Sequence, residues 1–206
     1  MWDLILVAIC LLLFFGANLH NVLRYHSGPS QSSQPDVPLP NGLIMGLVAI
    51  GTGTFFLESL LYLFLGTFNG PFSMLALVDV TVLNLVPLRL AGALLMTAGY
   101  AVFIWSVLAR GRYATSWTMA AQHRLVDWGP YRYVRHPSYV GYFLMFIGFF
   151  LMWHNLLALI PLIGIPGYVL ATNQEEEMLM KRFGEQYAEY RPRVGRFVPR
   201  LHFRKS

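Results

Sequence analysis

Five apolar runs, each long enough or nearly long enough to cross a lipid bilayer, constrain this 206-residue chain more than any other feature. Crossing a hydrocarbon core takes about 20 apolar residues in a helix. The runs fall at 2–22, 43–66, 88–109, 139–153 and 156–171. Hydrophobic residues make up 56% of the chain and charged ones only 12%, where a soluble domain carries about a quarter charged. A water-soluble globule is excluded, and the alternating segments of an outer-membrane barrel are missing. The expected fold class is all-α: a polytopic helical membrane protein of about five transmembrane helices. One integral-membrane domain over residues 1–206 is expected. Residues 1–109 hold three spans and their connections, and residues 110–206 hold a loop, a helical hairpin and an amphipathic cytoplasmic tail helix.

Charge is distributed along the chain in a way that reads as topology. Residues 1–109 carry a net charge of −2, whereas 110–137 carry +4 and 138–206 carry +3. With basic segments placed inside, the amino terminus lies outside and the carboxyl terminus in the cytoplasm, and Arg24 also falls inside. The first run starts at Asp3 without a basic flank and reads as an anchor, not a cleaved signal. Four prolines between His26 and Pro40 keep that segment out of a helix. The stretch 68–86, interrupted by Asp79 and Asn84, is expected to be interfacial or re-entrant, with a sixth span as the alternative. The positive charge is not a nucleic-acid footprint, because it lies at span ends. Cys10 stands alone, so no intrachain disulfide or CxxC pair exists. His20, His26, His123, His154 and His202 lack metal-ligand spacing, and no metal site is expected. Gly42, Gly46, Gly51 and Gly53 are expected to permit close helix packing. Glu58, inside the second span, is read as a buried polar contact between helices.

The carboxyl half carries the chemistry. In Tyr131-Arg132-Tyr133-Val134-Arg135-His136-Pro137-Ser138-Tyr139-Val140-Gly141, Pro137 suits the first position of a helix, where its missing N–H costs nothing, and His136 becomes the cap. A helix amino end with Arg135 and His136 beside it suits a ligand carboxylate or phosphate. Tyr139 offers a hydroxyl, and Gly141 permits close approach. The two runs after it are separated only by His154-Asn155, so they form a hairpin that returns the chain to the same surface. There the second arm leaves the membrane at Gln174-Glu175-Glu176-Glu177, and Leu179, Phe183 and Tyr187 form one stripe beyond it. Carboxylates next to that stripe require cations or donors, and Arg135 and His136 are the nearest candidates. A zwitterionic ligand fits such a pocket, its carboxylate against His136 and the helix end, its ammonium against Glu175 or Glu176.

These residues resemble the isoprenylcysteine carboxyl methyltransferase and phospholipid methyltransferase superfamily of small integral-membrane enzymes. The resemblance spans about residues 112–199. It rests on Leu125-Val126, Gly129-Pro130-Tyr131, R-H-P-x-Y-x-G at 135–141, E-E-x-x-L at 175–179, Phe183-Gly184, Tyr187, Tyr190 and 194–199; the amino half shows no specific match. It implies an S-adenosylmethionine-dependent methyltransferase whose cofactor is held by His136, Tyr139 and Glu176 with Arg135, Glu175, Leu125, Val126, Gly129 and Tyr131, Gly141 making room. Glu176 or His136 is the candidate catalytic base where the acceptor must lose a proton. Arg193 and Arg196 are candidates for binding an anionic acceptor, although attraction to acidic lipid is the simpler role for them. The acceptor, a prenylcysteine carboxylate, a phospholipid amine, a thiol or another lipophilic or small molecule, stays open, and no obligate protein partner is implied. An NADPH-dependent sterol or lipid reductase and a non-enzymatic membrane scaffold are the alternatives.

Overall fold

A computed structural model describes residues 1–25, 41–67, 79–80, 86–111 and 124–200. Six α-helices are formed there: α1 (Trp2–Tyr25), α2 (Gly42–Thr67), α3 (Val86–Arg110), α4 (Pro137–Trp153), α5 (Gly164–Phe183) and α6 (Glu185–Arg193). Two 3-10 stretches, Gly129–Arg132 and Leu156–Ile163, lead into α4 and α5. Among the described residues there are only isolated β-bridges, Asp79 to Asn155 and Val134 to Gly195. Four helical segments are long and apolar enough to cross a membrane, Trp2–Arg24, Gly42–Thr67, Val86–Arg110 and Leu156–Phe183, and Pro137–Trp153 is a shorter apolar helix. The expected re-entrant segment at 68–86 lies outside the described residues except for Asp79, Val80 and Val86, as do residues 112–123 of the loop.

Lipid tails are as apolar as leucine, so these helices associate through close packing and polar contacts, not through escape from water. The α3–α4 seam is built on glycine. A Cβ on Gly92 would lie 2.7 Å from the Gly148 carbonyl oxygen, and one on Gly141 would lie 2.9 Å from both the Gly99 oxygen and the Phe103 Cβ. The second seam, between α2 and the start of α5, meets at Gly51 and Gly164. Gly51 therefore does what its type suggested, whereas nothing approaches the Cβ positions of Gly42, Gly46 and Gly53 within 4 Å. Between the seams, the fully buried Phe55, Phe146 and Phe149 pack with ring centroids 5.2 and 5.6 Å apart, a spacing that favours edge and tilted ring contacts.

The hairpin expectation holds, with one change in its second arm. Asn155 caps that arm, its Oδ1 accepting from Leu157 N at 2.9 Å. The arm opens as a 3-10 helix containing Pro161 before becoming α5 at Gly164. A proline ring cannot donate to the preceding turn and crowds it, so the tighter helix persists until the proline is passed. The tail is likewise not one continuous helix. Gly184, at φ +50°, separates α5 from α6, a conformation that glycine alone adopts cheaply. The stripe nonetheless stays together: Leu179, Met180 and Phe183 pack against Leu125, Tyr187, Tyr190 and Val194. Glu58 is buried at 6% exposure with its Oε2 unpartnered among the described residues. It lies six residues along α2 from Thr52, whose hydroxyl meets that of Tyr168 in α5.

A candidate cofactor site where the hairpin meets the tail

The local reason for the site is a backbone splice. Residues 134–136 run beside 194–196: Arg135 N donates to Gly195 O at 2.8 Å, and His136 N donates to Arg196 O at 3.1 Å. Tyr190 locks the same junction, its hydroxyl donating to Tyr131 O at 2.7 Å. His136 caps α4 and Pro137 follows at the first turn, as the proline rule requires. Ile163 to Phe183 then brings Glu175 and Glu176 back to this surface.

Glu176 sits at the centre. Arg135 Nε and Nη2 donate to its Oε1 at 3.0 and 2.8 Å. Arg196 Nε reaches the same oxygen at 3.0 Å and Arg196 Nη2 reaches Oε2 at 3.1 Å. Arg191 Nε lies 3.2 Å from Oε2, and His136 Nε2 lies 3.3 Å from Oε1. Arg135 spends its remaining nitrogen on the Arg191 and Val194 carbonyls. Such a buried carboxylate is tolerable because each lone-pair direction meets a cation.

Glu175 differs. Its Oε1 accepts from the Tyr139 hydroxyl and its Oε2 lies 3.2 Å from His136 Nδ1, yet the side chain is 21% exposed against 4% for Glu176. Of the two, Glu175 is the carboxylate that a ligand can reach. Burial pushes the His136 pKa down, but hydrogen bonds and charge from Glu175 and Glu176 outweigh burial and raise it above 6.5. Imidazole between two carboxylates keeps its proton.

The other sequence-picked residues are placed as follows. Tyr139 stacks on His136 at 5.6 Å and meets Tyr168 of α5 at 4.5 Å. Leu125, Val126 and Tyr131 are buried, Leu125 within the tail cluster. Gly129, at φ +60°, turns the chain tightly against Ala109 and Trp105. Gly141 faces α3, so in this fold the space it leaves is filled by Gly99 and Phe103. Arg196 is engaged by Glu176 and Asn173, whereas Arg193 is exposed and donates to the Glu189 carbonyl of its own helix at 2.9 Å.

Three participants were not singled out from sequence. Arg191 was passed over for its neighbours in the Arg-Pro-Arg run. Tyr168 and Thr52 share a hydroxyl contact of 2.6 Å, which ties α2 to the ring stack behind Tyr139. No motif marks either; only the Gly51–Gly164 seam brings them together. A cavity of about 230 Å³, lined by Tyr62, Asp79, Val80, Arg89, Met152, Trp153 and His154, lies at the opposite end of the bundle. None of the motif residues lines it.

Fold and cluster together define a polytopic helical membrane protein with a cluster of charged side chains where the hairpin ends meet the tail. Residues 88–186 match the family model described as Phospholipid methyltransferase. Protein-S-isoprenylcysteine O-methyltransferases are similar over part of the chain: the Tribolium castaneum protein is 39% identical over 88 residues and the Homo sapiens protein 40% over 85. Those stretches cover 39% and 37% of this chain but only 29% and 28% of the relatives, so the chain matches less than a third of their length. The solved structure of a eukaryotic intramembrane Ras methyltransferase, isoprenylcysteine carboxyl methyltransferase, superposes with a TM-score of 0.50 at 23% identity. That fold likeness covers 92% of this chain and 67% of the other, and so extends into the amino half. In sequence the chain is similar, over somewhat less than half of its length, to the isoprenylcysteine carboxyl methyltransferase and phospholipid methyltransferase superfamily.

Proposed function

We propose that this protein is an S-adenosylmethionine-dependent methyltransferase working at the cytoplasmic membrane surface, with its amino terminus outside. A single observation carries the reading: the capped start of α4 and the exit of α5, two motifs 40 residues apart, meet in one hydrogen-bonded cluster that leaves Glu175 partly open. In this reading the whole chain is one domain, and its site comes from residues 110–206.

The residues present fit the amino-acid end of the cofactor, since Glu175 is a reachable acceptor for an ammonium group and the helix start a donor for an anion. Bound there, the cofactor supplies an electrophilic methyl group. Glu175 orients the ammonium, and Tyr139 and His136 fix Glu175. Glu176 fastens the tail over the site through Arg191 and Arg196, which excludes water. Most of the rate advantage then comes from alignment and desolvation.

The same geometry favours an acceptor that needs no base. Glu176 is committed to three arginines and His136 holds its proton between two carboxylates, so neither is poised to remove another. A carboxylate on a lipophilic molecule, as in a prenylated cysteine, is already nucleophilic and suits this cluster better than an ammonium or a thiol.

Calorimetric titration of the detergent-solubilised protein with S-adenosylmethionine, with NADPH in parallel and Glu175→Gln as control, tests this. Micromolar binding of S-adenosylmethionine alone, weakened at least tenfold in the variant, is expected. Binding of NADPH alone, or of neither, would overturn it.

A further inference from the structure

Arg110 is the last residue of α3. The register in which Gly92 faces Gly148 and Gly99 faces Gly141 continues toward that end of α3 and brings Arg110 level with residues 130–134, just ahead of the α4 start. Neighbouring contacts agree. Trp128 Nε1 donates to the Ala109 carbonyl at 2.9 Å, and Gly129 packs on the Ala109 Cβ. The Arg110 charge also acts on the phenols of Tyr131, Tyr139 and Tyr142.

The side chain is half-buried, yet its Nε is buried without a hydrogen-bond partner among the described residues. This sets Arg110 apart from the other cations around the site. Arg135, Arg191 and Arg196 go to Glu176, and His136 goes to both glutamates. A guanidinium cannot discard its charge when buried, and an unpaired donor in such a place is costly. Its edge presents parallel N–H groups that match the two oxygens of a carboxylate.

We propose that Arg110 is the carboxylate receptor of this pocket: it takes either the carboxylate of the cofactor, whose ammonium then sits on Glu175, or the carboxylate of the acceptor. The inference rests on the methyltransferase reading and names a residue outside the motifs that support it. Both the cofactor and a prenylcysteine acceptor carry such a carboxylate, and the test separates them.

Binding is measured for two matched pairs: S-adenosylmethionine against its decarboxylated form, and an S-farnesyl N-acetylcysteine against its carboxamide. The wild-type protein is expected to prefer the carboxylate member of one pair at least tenfold. Arg110→Gln and Arg110→Met should reduce that preference to within twofold, and Arg110→Lys should retain part of it. Collapse in the first pair assigns the cofactor's carboxylate to Arg110, and collapse in the second assigns the acceptor's. The inference is overturned if a folded Gln or Met variant keeps the wild-type preference in both pairs, or if the wild type has none. Failure of the wild type to bind S-adenosylmethionine at all would instead remove the underlying reading, and this inference with it.

Discussion

The two ends of the bundle each gather helices around one buried carboxylate, and they do so with different consequences. At one end Asp3 accepts from the Tyr62 hydroxyl at 2.5 Å, from Arg89 Nη2 at 2.8 Å and from the amino terminus at 2.9 Å, joining α1, α2 and α3. At the other, Glu176 joins the start of α4, α5 and the tail through Arg135, Arg191, Arg196 and His136. Among the described residues Asp3 has no second carboxylate in its hydrogen-bonded set. Glu176 has Glu175 beside it, still partly exposed, and Arg110 nearby. A sealed carboxylate holds a fold together; a sealed carboxylate with a second, partly exposed one beside it is the arrangement on which the proposed ligand site rests.

Removing the centre of each cluster breaks the comparison most directly. Glu176→Gln leaves the nearly buried Arg135 without its counterion, and breaking such a pair costs about 3–5 kcal/mol. Arg196 and Arg191 are 31% and 49% exposed, and solvent screening leaves little of the loss to them. The thermal midpoint in detergent should fall by on the order of 10 °C, with loss of S-adenosylmethionine binding. Asp3→Asn should lower stability by only about 1 kcal/mol, since Arg89 is 36% exposed and exposed pairs are weak. Cofactor affinity should not change, and a drop in it would mean that the two ends are coupled.

Titration sharpens the contrast further. The folded pKa of His136 lies above its ordinary 6.5, so its protonated form is favoured in the folded state. The stability this confers is complete below about 6.5 and is lost as pH climbs through the raised folded value. The difference in thermal midpoint between wild type and His136→Asn should therefore shrink with rising pH above 6.5, whereas Asp3→Asn should show no such trend in that range. The smallest effect belongs to Arg193. Arg193→Ala should change stability by less than about 0.5 kcal/mol, because its bond is to its own helix. A tenfold weaker acceptor affinity in that variant would restore Arg193 to the acceptor site.

Much of this was legible in the chain. Helices α1, α2 and α3 fall within three residues of the apolar runs that announced them, because a span's length is set by the bilayer and not by its neighbours. Pro137 fixed the start of α4, and the two-residue His154-Asn155 link forced the hairpin. The pairing of the His136 segment with Glu175 and Glu176 followed from that return. The division of labour within the pair did not, since adjacent positions on a helix end differ only in which way the packed tail turns them.

The sequence by itself determined that the chain is a helical membrane protein, that its charged motifs stand at the ends of the carboxyl-terminal hairpin, and which family those motifs resemble. These are local properties: run length, the missing N–H of proline, and residue types at short spacing. Tertiary structure alone decided that Glu176 is sealed while Glu175 is reachable, and that Gly141 yields its space to α3. It also decided that Thr52 of the motif-free half reaches Tyr168, and that Arg110 is left with a donor unpaired among the described residues. Each of those depends on which atoms fill the space around a side chain, and that is settled by helices meeting across the Gly99–Gly141 and Gly51–Gly164 seams, not by any stretch of the chain read alone.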